Sequence, residues 1–179
     1  MNPLKNNAQR ARAVNIIFII LLVINVLSII SNIMQLNLIK DLIAGNADTA
    51  AASANDIRVT GLAIGNLIVL ICTMVFFILW FRRAYNNLHL TQSVNLLYTE
   101  GWAAGAWFVP FLNLVRPYQI MNEIWNKTQE ATKNLLSFKN SVLVGWWWAI
   151  YLISNITSNI ASRVFDDNSS YESLTAATY

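Results

Sequence analysis

Charge is missing from this chain in the places where its absence says most. Residues 14–34, 62–81 and 142–160 are runs of 21, 20 and 19 positions without a Lys, Arg, Asp, Glu or His. Over the whole chain 12% of residues are charged and 56% hydrophobic, against about 25% charged in an ordinary soluble domain. Cysteine is almost absent as well. Cys72 stands alone inside the second run, so no internal disulfide can form and the redox compartment is not legible. His89 is the single histidine, which leaves no Cys/His cluster for a metal; a packed thiol and a surface imidazole are the plain readings. Neither a metal nor a cofactor is expected.

What is present fits a bilayer. At about 1.5 Å per residue the first run covers roughly 31 Å, the thickness of a hydrocarbon core of about 30 Å. The expected fold is an all-α integral membrane protein, a single membrane domain over residues 1–179 with three transmembrane helices. Lys5, Arg10 and Arg12 precede the first run as in a signal peptide. Its apolar stretch exceeds the usual core of about 7–15 residues, however, and Ala52-Ser53-Ala54 lies far downstream. A retained signal anchor is the better reading.

One apolar stretch is anomalous. Residues 102–115 are too short for an untilted span, contain Pro110, and are stopped by Arg116-Pro117. Either the stretch dips into one leaflet and returns, or it continues to about Trp125 as a fourth span. If it returns, Lys5, Arg10, Arg12, Arg82, Arg83, Arg116, Lys127, Lys133 and Lys139 are cytoplasmic, and only Lys40, Arg58 and Arg163 lie outside. That is nine against three, the asymmetry expected of cytoplasmic loops. If it spans, the split falls to six against five and Arg116 enters the bilayer, at about 2.5–3.5 kcal/mol. The returning or interfacial segment is favoured, with the N-terminus cytoplasmic. Residues 118–139 then form a cytoplasmic amphipathic helix, with Ile120, Ile124, Ala131, Leu135 and Phe138 on its apolar face. Residues 35–60 form an external loop, part helical, and 163–179 an external polar tail.

Helices in lipid pair through small and polar side chains. Asn25, Ser28 and Asn32 make one stripe on the first span, and Asn155, Ser158 and Asn159 another, at similar depth, on the third. These stripes are expected to hydrogen-bond to each other. Gly61-x-x-x-Gly65 permits close approach of the second span, and Gly101-x-x-x-Gly105 repeats the spacing. Trp146, Trp147 and Trp148 read as an interfacial aromatic belt.

The most specific pattern runs from Arg82-Arg83-Ala84-Tyr85-Asn86-Asn87-Leu88 through Gly101-Trp102 to Trp107-Phe108-Val109-Pro110-Phe111-Leu112-Asn113, then Arg116-Pro117-Tyr118 and Glu123-Ile124-Trp125. Over about residues 80–126 it resembles the bacterial membrane protein family of unknown function numbered 4328. That family shares an RAYxNL-like stretch, a Trp-Phe-x-Pro-Phe-x-Asn run, an Arg-Pro-Tyr turn and a following Glu-x-Trp. The resemblance implies a multi-span protein of the bacterial cytoplasmic (inner) membrane and no particular activity. It also implies a further C-terminal span, where this chain has its polar stretch up to Tyr179.

The bland reading of that region is a membrane re-entry motif. The sharper one is a leaflet-level site for an anionic head group, built from Arg83, Trp102, Trp107, Asn113, Arg116, Tyr118, Glu123 and Trp125. The planar guanidinium of Arg116 can grip phosphate bidentately, with aromatic rings as cation–π partners. The expected function is a non-catalytic membrane module that assembles with itself or a membrane partner and contacts anionic lipid. A small transporter or channel subunit is the alternative, although no Asp, Glu, Lys or Arg lies within a span and Asn25, Asn32, Asn66 and Asn155 would need several copies to line a path. A membrane-embedded enzyme comes last: Glu100, Glu123 and Glu130 have no nucleophile or His at a recognisable spacing. Nucleic acid is not an expected partner, because topology explains the basic residues.

The charge asymmetry carries a direct test. With Cys72 replaced, single cysteines at Lys5, Arg82, Lys127 and Lys139 should all be protected from an external, membrane-impermeant thiol reagent. External labelling at Lys127 or Lys139 would mean that residues 102–125 cross the bilayer.

Overall fold

The computed structural model describes residues 4–46, 49–91, 95–131 and 140–176, and every regular element among them is helical. In chain order these are α1 (Ala8–Ile43), α2 (Thr49–Leu90), a single-turn α3 (Trp102–Gly105), a 3-10 turn (Leu112–Leu114), α4 (Arg116–Ala131) and α5 (Val142–Ala176). The chain divides into two compact units, Met1–Leu90 and Thr91–Tyr179.

The first unit is a helical hairpin. A segment surrounded by lipid must satisfy its own peptide groups, and the long Ile/Leu/Val/Phe runs do so as helices. Both α1, of 36 residues, and α2, of 42, are long and apolar enough to cross a membrane. At about 1.5 Å per residue they reach roughly 54 and 63 Å, so each extends well beyond a hydrocarbon core. Most of residues 35–60 is accordingly helical, as α1 runs to Ile43 and α2 begins at Thr49.

A glycine ends α1. Gly45 adopts φ +73°, a left-handed conformation that costs glycine little. Its N–H donates to the Leu42 carbonyl at 3.1 Å, and Asn46 N–H to the Asp41 carbonyl at 2.9 Å. This pair of bonds is a Schellman stop, which satisfies carbonyls that the helix end leaves open.

The two helices are joined at three levels. Near the chain start, Lys5 N–H donates to Asn87 Oδ1 at 3.0 Å and Asn87 Nδ2 returns a bond to the Lys5 carbonyl at 2.8 Å. Arg10 Nη1 donates to the Leu79 carbonyl at 2.6 Å. Burial, followed by the nearby Arg83 and Arg82, draws the pKa of Arg10 below its ordinary value. Midway, Asn66 Nδ2 approaches Asn25 Oδ1 at 3.4 Å. Towards the turn, Arg58 donates to Ser31 Oγ at 3.1 Å and to Asn55 Oδ1 at 2.6 Å.

Only one glycine of the Gly61-x-x-x-Gly65 pair lies at a close approach. A Cβ at Gly65 would come 3.2 Å from Ile24 Cδ1, whereas one at Gly61 would meet nothing within 4 Å. Gly101 is likewise open, and at Gly105 the nearest atom is 4.0 Å away, in Trp102.

In the second unit, α4 packs against α3, the 3-10 turn and α5. The anomalous stretch is not one helix: α3 makes a single turn, and irregular backbone carries the chain to the 3-10 turn before α4 starts at Arg116. The Pro110 and Pro117 interruptions account for this. The expected amphipathic helix is present as α4 up to Ala131, while Lys133, Leu135, Phe138 and Lys139 lie outside the described residues. The third apolar run opens α5, whose helical backbone continues to Ala176 through most of the expected polar tail.

Gly65→Val should overpack the hairpin by about 1–3 kcal/mol, because Ile24 has to give way. Gly61→Val should change stability little. Unfolding of both variants by SDS in mixed micelles measures the difference.

Candidate functional site

Arg116 opens α4 and organises one face of it. Gln119 and Glu123 follow at i+3 and i+7, so the three side chains share that face. Residues 97–98 lie across it. The Tyr98 hydroxyl donates to Gln119 Oε1 at 2.5 Å, and Leu97 N–H donates to Glu123 Oε1 at 2.8 Å. Glu123 is buried, so this charge-assisted bond to backbone meets part of its need for a partner.

These anchors hold two rings around the guanidinium. Arg116 Cζ lies 3.8 Å from the Trp102 ring centroid and 5.3 Å from that of Tyr98. Each such contact is worth about 0.5–2 kcal/mol, more as water is excluded. Arg116 is half-buried, and its Nη1 is covered and has no hydrogen-bond partner. Among the described residues Arg116 makes no ion pair, with Glu100, Glu123 or any other acid. A covered, unbonded donor on a cation costs about 1–3 kcal/mol, which is comparable with what the rings return. Set over the Trp102 ring and with no ion pair among the described residues, the group presents a fixed positive charge.

A second aromatic group braces the broken stretch. Trp107, Tyr118 and Tyr151 all lie against Trp148, Tyr151 most closely with a centroid separation of 4.8 Å. Trp148 Nε1 donates to the Leu114 carbonyl at 3.0 Å, which fastens the 3-10 turn to α5. The three consecutive tryptophans differ accordingly: Trp148 is buried, while Trp146 is 65% exposed.

The residues expected around Arg116 therefore separate. Trp102 stacks on it. Trp107 and Tyr118 join the Trp148 group, and Trp125, nine residues further along α4, falls on the opposite side of the helix at about 3.6 residues per turn. Asn113 donates its backbone N–H to the Val109 carbonyl at 3.0 Å, and its side chain makes no hydrogen bond among the described residues. Glu123 holds the 97–98 loop, and Arg83 belongs to the first unit. Sequence reasoning missed Tyr98 and Gln119. Gln119 had a usable signal, the i+3 spacing from Arg116; Tyr98 sits in a loop with no periodicity to mark it.

The packing stripes divide in the same way. Asn25 finds Asn66 across the hairpin and also donates to its own Leu21 carbonyl at 2.7 Å. Asn155 and Asn159 donate to carbonyls one turn back on α5, both at 2.8 Å. Asn32, Asn155, Ser158 and Asn159 are exposed.

An all-helical chain with two membrane-length helices and an arginine clasped by aromatic rings is the class of protein defined by these observations. Residues 44–179 match the family described as Domain of unknown function (DUF4328), and the chain belongs to that family. No curated protein and no solved structure matches it.

Trp148→Phe keeps the ring packing but orphans the Leu114 carbonyl. A loss of about 1–3 kcal/mol is expected, with a changed near-ultraviolet circular dichroism signal from the aromatic group. An unchanged unfolding midpoint would remove Trp148 as the fastening point.

Proposed function

We propose that this chain is a non-catalytic module of the bacterial inner membrane that grips anionic head groups through Arg116 and assembles with itself or with a membrane partner. The supporting observation is the guanidinium lying 3.8 Å from the Trp102 ring with no ion pair among the described residues. A cation fixed in this way gains from an anion at its open edge, and a phosphate matches the guanidinium fork better than it matches an ammonium.

In this reading α5 is the third span, less apolar than α1 and α2 because of its tryptophans and its Ser/Asn stripe. Residues 102–115 stay on the cytoplasmic side, dipping into that leaflet or lying on it, and Arg116 sits at the level of lipid phosphate. The N-terminus is cytoplasmic, in keeping with the nine-to-three distribution of Lys and Arg. Assembly draws support from Asn32, Asn155, Ser158 and Asn159, exposed polar side chains on helices that would lie in lipid, where such groups seek partners across helices. Pairing of the α1 stripe with the α5 stripe, within one chain or between copies, belongs to the same proposal.

Native mass spectrometry with phosphatidylglycerol tests it. Arg116→Lys keeps the charge and removes the fork, and should weaken retention of the anionic lipid about tenfold, as the loss of one charge-assisted hydrogen bond implies. Arg116→Ala should weaken it at least as much, with insertion unchanged in both. Full retention by both variants would reduce Arg116 to a topological anchor.

A further inference from the structure

The geometry points to Phe108, Val109, Pro110 and Phe111 as a wedge whose ligand is the acyl-chain region of one leaflet. This deepens the head-group reading and rests on its assignment of the second unit to the membrane surface. Four successive apolar residues are exposed here, Phe108 at 75% and Phe111 at 83%. Residues 101–115 contain no charge at all.

The tip is held in an uncommon shape. Phe111 has φ +64° and ψ −40°, and Leu112 N–H donates to the Pro110 carbonyl at 2.8 Å. A bond between residues two apart, around a centre of positive φ, is the rare and strained γ-turn. Turns in water usually place Gly, Asn or Asp in such conformations, because a bulky side chain resists them. A phenylalanine here points a large ring outward at the cost of backbone strain. Water gives no return on that arrangement, and hydrocarbon does.

The backbone is suited to the same environment. From Ala106 to Val115 there are nine N–H groups, since Pro110 has none, and seven of them donate to backbone carbonyls; those of Val109 and Phe111 have no backbone acceptor among the described residues. These two donors are on the tip itself, which sets the depth: the wedge reaches the upper acyl chains, where water and lipid ester carbonyls can meet those donors, and stops short of the hydrocarbon core. At the neck, Trp107 lies against Trp148 and Tyr151, the residue types that favour the membrane interface. Arg116 follows five residues after the tip. A second copy of the chain is the poorer occupant, because four residues fall far short of the 20–30 per side of a stable interface.

Depth-resolved quenching in the full chain tests the wedge. Cysteines at 108, 109 and 111, placed one at a time in a Cys72→Ser background, carry an NBD label in phosphatidylcholine vesicles. A label at Glu130, exposed on α4, serves as the aqueous reference. The wedge predicts blue-shifted emission at the tip, and quenching by doxyl groups on acyl chains at least twofold stronger than by aqueous iodide. The reference should show the reverse order. Iodide access at 108, 109 and 111 equal to that at 130 would overturn the proposal. A blue shift without doxyl quenching would also overturn it, by showing that protein covers the tip. Phosphatidylcholine vesicles contain no anionic lipid, so tip insertion that survives Arg116→Ala in them separates failure of head-group binding from failure of the wedge.

Discussion

A peptide group that water cannot reach must find its partner within the protein, and the two halves of this chain answer that constraint differently. The first unit answers it by regularity. Its long apolar runs become continuous helices, and their side chains are left to settle how the helices meet. Long apolar helices of this kind gain little from the hydrophobic effect if they meet in lipid, and here they meet at a few points: a glycine that admits Ile24, an asparagine pair near mid-length, and arginines that reach across to carbonyls and hydroxyls.

The second unit answers by local closure. Pro110 and Pro117 break the helix, but turn bonds recover most of the donors around the break, and Trp148 supplies a donor to the Leu114 carbonyl. The irregular stretch is therefore a braced structure with a definite shape. Its cost is concentrated at Phe111, in a conformation of the kind that costs about 1–3 kcal/mol and persists only where the surroundings impose it.

Arg116 follows directly from that bracing. It begins the helix that resumes after the break, so its direction is set by the turn, and Trp102, on the turn before the break, provides a ring to lie on. Cation–π contact lowers the cost of partial burial without neutralising the charge. An acid in the same place would have produced a closed, structural ion pair, and the nearest acid on that face, Glu123, accepts a backbone N–H from the 97–98 loop instead.

Much of the architecture was legible from residue order alone. Uncharged runs of bilayer length specify membrane-length helices because no other backbone form satisfies itself in lipid, and α1 and α2 follow that logic. Two prolines within eight residues specified the break, while the i+3 spacing that puts Gln119 on the face of Arg116 was present in the sequence and went unread. The tertiary structure decided which neighbours meet. Helical spacing places Gly61 and Gly65 on one face without saying which of them touches α1, because that depends on the crossing of the two helices. Six aromatic or polar residues near Arg116 in sequence looked equivalent as partners, yet only Trp102 stacks on it, joined by Tyr98 from a loop eighteen residues upstream. Local sequence rules act over one or two helical turns, whereas a contact between a loop and a helix depends on the path of the whole intervening chain.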